Sequence, residues 1–135
     1  MLPITLTSFR LFLHVVAACV WVGGQITLAG LVPGLRALDP DAPRTVARRF
    51  NNRVAWPAFG ILFLTGLWNL AEVHVTDQSS AWLATLMAKL TVVAITGISA
   101  AVHAGTKSKA VLAVTGALSL LSALLAVWFG LLLHG

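Results

Sequence analysis

A chain of 135 residues that is 59% hydrophobic and 10% charged, with a mean hydropathy of +0.92, does not fold as a water-soluble domain. A domain of this size leaves roughly a third of its surface in water, too much for this composition to cover with polar groups. The net charge of +5 and pI near 10.8 would suit nucleic acid, but in so apolar a chain basic residues report membrane topology, and no nucleic-acid partner is expected.

Four apolar runs, at about 9–33, 54–74, 82–105 and 110–133, are long enough to span a bilayer, which takes about 20 residues of helix. In the first, Arg10 followed by LFLHVVAAC ends in the small-small-Cys pattern of a lipoprotein signal. His14 interrupts that apolar core, however, and the run continues through WVGGQITLAGLV, so a retained helix is expected. Cys19 is the single cysteine; it excludes an intramolecular disulfide and is expected to be a small buried hydrophobe.

The polar stretch that follows, GLRALDPDAPRTVARRFNNR, has turn signals at Asp39-Pro40 and Ala42-Pro43. Its segment RTVARRF suits a short interfacial helix, with Pro43 in the first turn and Asp41 near the start. The connections VHVTDQSS and GTKSKA are short, which makes neighbouring helices antiparallel. The expected fold is all-α, a single integral membrane domain over 1–135 forming an up-down-up-down four-helix bundle.

Seven of the nine Lys and Arg residues, namely Arg36, Arg44, Arg48, Arg49, Arg53, Lys107 and Lys109, lie in or beside the first and third loops. The positive-inside rule puts these loops in the cytoplasm of a bacterial plasma membrane, with both termini and the second loop outside. Trp68, Trp82 and Trp128 then stand toward the outer interface and Trp56 toward the inner one.

Within the third run, Lys89 sits where a charge costs at least about 2.5 kcal/mol, so it should be functional or partnered. On this topology His14 and Lys89 lie at similar depth, about 8 and 10 Å below the outer helix ends. Thr65, Asn69 and Glu72 share one face of the second run and rise toward the same side, where His74 and His134 end their helices. The outer half can therefore gather His14, Asn69, Glu72, His74, Lys89 and His134, leaving mainly Gln25, Arg53 and His103 to the inner half.

Thr85, Lys89, Thr96, Ser99 and His103 form a stripe on the third run. His14, Trp21, Gln25 and Leu28 form one on the first, and Thr115, Ser119 and Ser122 one on the fourth. Hydroxyl stripes are ordinarily packing surfaces. By the same plain chemistry, His74 and His134 suit an interface and His103 a carbonyl bond, whereas His14 and Lys89 are both deep and directed inward.

LHVVAACVWVGG, then RRFNNRVAWPAFGILFLTGLWNL, then WLATLMAKLTVV together resemble the copper resistance protein D family and its relatives, among them protoporphyrinogen oxidases of the HemJ type. The resemblance covers residues 10–103. It implies a metal centre, copper or heme b, with the family's functional His on His14 and its intramembrane Lys on Lys89. A protonated lysine opposes a copper cation in low dielectric, and copper(I) prefers sulfur donors. Heme accepts an axial His and carries two propionates, and a lysine suits it as a propionate partner or, without its proton, as a second axial ligand, so heme b is favoured over copper, with His14 as axial ligand and Lys89, His134, His74 or an open position opposite it. Lys89, Trp21, Asn69 and Glu72 would surround such a cofactor, and His14, His74 and His134 are the metal-ligating candidates. His14 and His103 are about 20 Å apart along the membrane normal and do not clamp one heme.

A copper-transport protein, a HemJ-like oxidase and a non-catalytic subunit of a larger complex are the alternatives. The partners expected are the lipid bilayer, with membrane redox proteins or a second copy of the chain as further candidates. No phosphate loop, nucleophile triad or paired catalytic carboxylate supports hydrolysis or phosphoryl transfer.

Overall fold

The computed structural model describes residues 3–134. Helix is the only regular secondary structure among them: α1 (Leu6–Leu38), α2 (Ala42–Phe50), a π-helical turn (Asn51–Ala55), α3 (Trp56–Ala71), a short 3-10 turn (Val75–Asp77), α4 (Ser80–Gly105) and α5 (Lys109–Leu132). Four helices are long and apolar enough to cross a membrane: α1, the continuous helix Ala42–Ala71, α4 and α5. The protein is thus an all-helical, multi-pass membrane protein. Large apolar side chains stand exposed along every one of them, for example Phe12, Leu64, Ile98 and Leu121, as lipid-facing surfaces require.

The chain divides into two compact units, residues 1–73 and 74–135, each built on an antiparallel helical pair. In the first, α1 begins three residues earlier than its apolar run because Thr5 and Ser8 form a capping box. Thr5 Oγ1 accepts from the Ser8 amide at 3.1 Å, and Ser8 Oγ accepts from the Thr5 amide at 2.9 Å. The helix also passes through Pro33 and ends only at Leu38. Asp39 Oδ1 then accepts from the Asp41 amide at 2.8 Å, an Asx turn that reverses the chain within three residues.

The expected polar loop is therefore mostly helix. The short helix over RTVARRF does form, with Pro43 in its first turn, but it runs on through the π turn into α3 without a break. Two features explain the continuity. Pro43, Val46, Ala47 and Phe50 recur at helical spacing and are partly buried, while Arg44, Arg48 and Arg49 occupy the opposite, exposed face. Pro57 has no amide to donate, and its ring would crowd the carbonyl four residues back. The wider turn, in which the Trp56 amide bonds Asn51 O, makes room for it.

α1 and α3 meet along a ladder whose centre is aromatic. The Trp21 ring lies 4.6 Å from Phe59 and 5.7 Å from Trp56, and Trp56 meets Phe59 edge-on at 5.9 Å. Farther down, Phe50 occupies the space a side chain at Gly24 would fill.

The second pair is held by hydroxyls. Thr96 Oγ1 donates to Ser119 O at 2.8 Å and Ser119 Oγ donates to Thr96 O at 3.2 Å, with Ser99, Ser122 and Ala123 buried around them. His103 joins the α4 end to the start of α5: Nδ1 donates to Leu112 O at 3.0 Å, and Gly116 leaves room for the ring. This is the carbonyl bond expected of His103, and the stripes are the expected packing surfaces. α4 and α5 are capped by Ser79 and Ser108, whose hydroxyls accept from the Trp82 and Val111 amides.

Candidate cofactor-binding site

α1 turns Arg10, His14, Ala17 and Trp21 toward α3 at alternating four- and three-residue steps, and Arg10, Ala17 and Trp21 are buried. His14 stands between the guanidinium and the aromatic cluster, half-buried. Its Nδ1 lies 2.9 Å from Thr65 Oγ1. The Thr65 hydroxyl, itself buried, donates to the carbonyls of its own preceding turn, at 2.7 Å to Ile61 O and 3.2 Å to Leu62 O.

The same Thr65 oxygen faces His14 Nδ1, and which of the two donates there depends on the imidazole tautomer. A hydrogen bond to one ring nitrogen is what orients the imidazole of a histidine ligand. Gly66 bounds the other side: a Cβ placed there would touch His14 Cε1 at 3.4 Å.

One turn from His14 toward the start of α1, the Arg10 guanidinium lies over the Trp68 ring, 5.8 Å from its centre. Its Nη1 is 3.5 Å from Glu72 Oε1, at the end of α3. The Arg10 side chain is 9% exposed and that of Glu72 55%. Arg10 Nε and Asn69 Oδ1 are both buried with no hydrogen-bond partner among the described residues, as is Gln25 Nε2.

The first helical pair sets His14 against Thr65 and Arg10 against Glu72, with Asn69 half-buried on α3 between Thr65 and Glu72. It adds Arg10, which sequence reasoning had treated only as a flank of a signal-like segment. Two signals marked it: it lies four residues before His14, and it is the one basic residue besides Lys89 outside the first and third connections. Trp21 belongs to the aromatic cluster rather than to the polar end of the ladder. Cys19 is exposed, which corrects the expectation of a buried thiol: five residues past His14, it is rotated about 140° away from the α3-facing side.

The remaining candidates lie in the second unit. Lys89 is partly buried in α4 and reaches over α5 at Gly130, where a Cβ would stand 3.2 Å from Nζ. Among the described residues it makes no ion pair or hydrogen bond. His74, ahead of the 3-10 turn, and His134, after α5, are exposed. No three His, Cys, Asp or Glu side chains among the described residues come together as donors for a metal ion. Comparison of the chain with protein-family models, with curated proteins and with solved structures finds no match.

Proposed function

We propose that this membrane protein binds heme b through His14, for redox chemistry or heme handling of the copper resistance protein D-like type. The observation that carries the reading is the His14–Thr65 pair. A histidine inside a spanning helix has its Nδ1 2.9 Å from the hydroxyl of a back-bonded threonine, a hydrogen bond that orients the imidazole as the partner of a ligating histidine does. The donor set suits a porphyrin, which needs one axial nitrogen and places anionic propionates that a nearby cation can meet. Bound heme b supplies reversible one-electron chemistry. The chain's own residues orient the ring nitrogen (Thr65), bring positive charge to one end (Arg10) and keep water from the other (Trp21, Trp56, Phe59).

Copper, the other metal the resemblance implies, is less well served. Copper(I) favours thiolate and thioether, and the Cys19 thiol and Met87 thioether stand exposed on their helices. We place the protein in a bacterial plasma membrane with the arginine-rich α1–α2 turn and the α4–α5 connection cytoplasmic. The His14 end of the first pair then faces outward.

Heme extracted from protein purified from heme-replete cells tests the reading. About one heme b per chain is expected in the wild type, with most of it lost in His14→Ala. Heme-free wild-type protein contradicts it.

A further inference from the structure

Between Gly34 and Ala71 the charged residues are five arginines and two aspartates. Among the described residues none of Arg36, Arg44, Arg48, Arg49 and Arg53 forms an ion pair or hydrogen bond, and all five are exposed. Asp39 turns a carboxylate oxygen to the Asp41 amide instead. The positive-inside rule explains the sign of this cluster, but it counts lysine and arginine alike. The α4–α5 connection carries lysines, Lys107 and Lys109, whereas this turn has arginine at every basic position.

Packing decides which way these cations face. The apolar side of α2 is taken up by the protein itself, with Phe50 seated against Gly24 of α1, so the helix does not lie flat with that side in lipid. It continues α3 beyond the membrane core. At 100° per residue, Arg44, Arg48 and Arg49 occupy an arc of about 140° on its free side, and Arg53 follows one turn beyond Arg49.

Depth follows from helix length. About 20 residues of helix fill the hydrocarbon, and from Ala71 at the end of α3 they reach back to Asn52. Arg48, Arg49 and Arg53 then lie within about 6 Å of the hydrocarbon edge, inside a headgroup layer about 5–7 Å deep. Trp56 falls just inside the same edge, where aromatic belt residues sit. Three unpaired guanidiniums at the level of the lipid phosphates match a phosphodiester both in charge and in the geometry of the fork.

We propose that Arg48, Arg49 and Arg53 form a binding surface for anionic phospholipids, whose headgroup phosphates occupy the guanidinium forks. Nothing in this surface depends on what His14 holds.

The test titrates full-length protein in a neutral detergent with phosphatidylglycerol and, separately, with phosphatidylcholine, and follows the lipid-bound species by native mass spectrometry. The wild type should bind phosphatidylglycerol more tightly, on the order of 10-fold or more. Arg48→Gln/Arg49→Gln should lose most of that preference, about 5-fold for each arginine removed. Lys107→Gln/Lys109→Gln, which removes the same charge elsewhere, should keep it, and inorganic phosphate in equal amount should not displace the lipid.

Equal affinity for the two lipids in the wild type, the result expected if an acidic soluble protein were the partner, overturns the proposal. So does a preference that survives in Arg48→Gln/Arg49→Gln or falls equally in Lys107→Gln/Lys109→Gln. Displacement by inorganic phosphate would make this a site for the free anion and not for lipid. Should the glutamine variant not fold, Arg48→Lys/Arg49→Lys decides the matter: it keeps the charge without the fork and should bind phosphatidylglycerol several-fold more weakly, whereas unchanged affinity overturns the role of the forks.

Discussion

His14 and Thr65 act as a unit, and the chemistry of the pair is set by where one hydroxyl proton goes. Thr65 Oγ1 lies 2.7 Å from Ile61 O and 2.9 Å from His14 Nδ1. Thr65→Val, which keeps the shape and removes the hydroxyl, is expected to weaken heme affinity about 10–100-fold, the usual cost of removing a partner behind a ligating histidine. Thr65→Ser, which can repeat the bond, should stay within a few-fold of wild type in the same Soret titration. Lys89 is a different case. It lies in a spanning helix with no ion pair among the described residues, so Lys89→Leu should improve membrane insertion of the α4 segment by up to about 3 kcal/mol in a translocon assay. Both residues stood out in the sequence because a polar side chain deep in an apolar run is conspicuous. The partner of His14, Thr65, is the one hydroxyl residue in 54–74 and shares its face with Asn69 and Glu72, and nothing in the sequence told which of the three would meet the ring. Arg10 was obscured because a basic residue near the start of a membrane helix has an ordinary explanation in topology.

At the scale of elements, the helix starts and the two short turns follow from local chemistry: Thr5, Ser79 and Ser108 cap where hydroxyl residues are expected to. The continuity of α2 into α3 was harder to see. Polar composition over 34–53 looked like a loop, yet Pro43, Val46, Ala47 and Phe50 give it a buried helical face, and the π turn absorbs Pro57. Phe50 seats against Gly24, with no room for a side chain there. Gly24→Val should displace the Phe50 ring and destabilise the first pair by about 1–3 kcal/mol, the usual cost of overpacking, measurable as a lower denaturation midpoint in detergent. Gly23→Val, beside it but with open space around its Cβ position, is the control and should cost less. In the second pair, Thr96→Val with Ser119→Ala removes the reciprocal bonds and should cost about 1–2 kcal/mol, since interhelical hydrogen bonds in membranes are individually modest.

For the molecule as a whole, four apolar runs in the sequence predict four spans, and the structure has four helices long and apolar enough to cross a membrane among the described residues. Their lengths differ in a way the apolar runs concealed. α1 and the continuous Ala42–Ala71 helix have 33 and 30 residues, about 50 and 45 Å of helix against roughly 30 Å of hydrocarbon. On the proposed topology the surplus lies at the arginine-bearing turn, where Arg36, Arg44, Arg48, Arg49 and Arg53 are exposed and would reach the headgroups. On a Cys19→Ser background, a cysteine placed at Asp41 or Lys107 should react with a membrane-impermeant thiol reagent only after cells are opened, and one at Thr76 in intact cells. The reverse pattern would invert the proposed orientation.

The central claim is that His14 ligates heme, and an absorption spectrum of the purified, heme-replete protein beside its His14→Ala variant tests it most directly. A Soret band in the wild type that is lost or shifted in the variant, while both proteins retain the same helical content, is the predicted result. A wild-type protein without that band, or a band identical in the two, would contradict it.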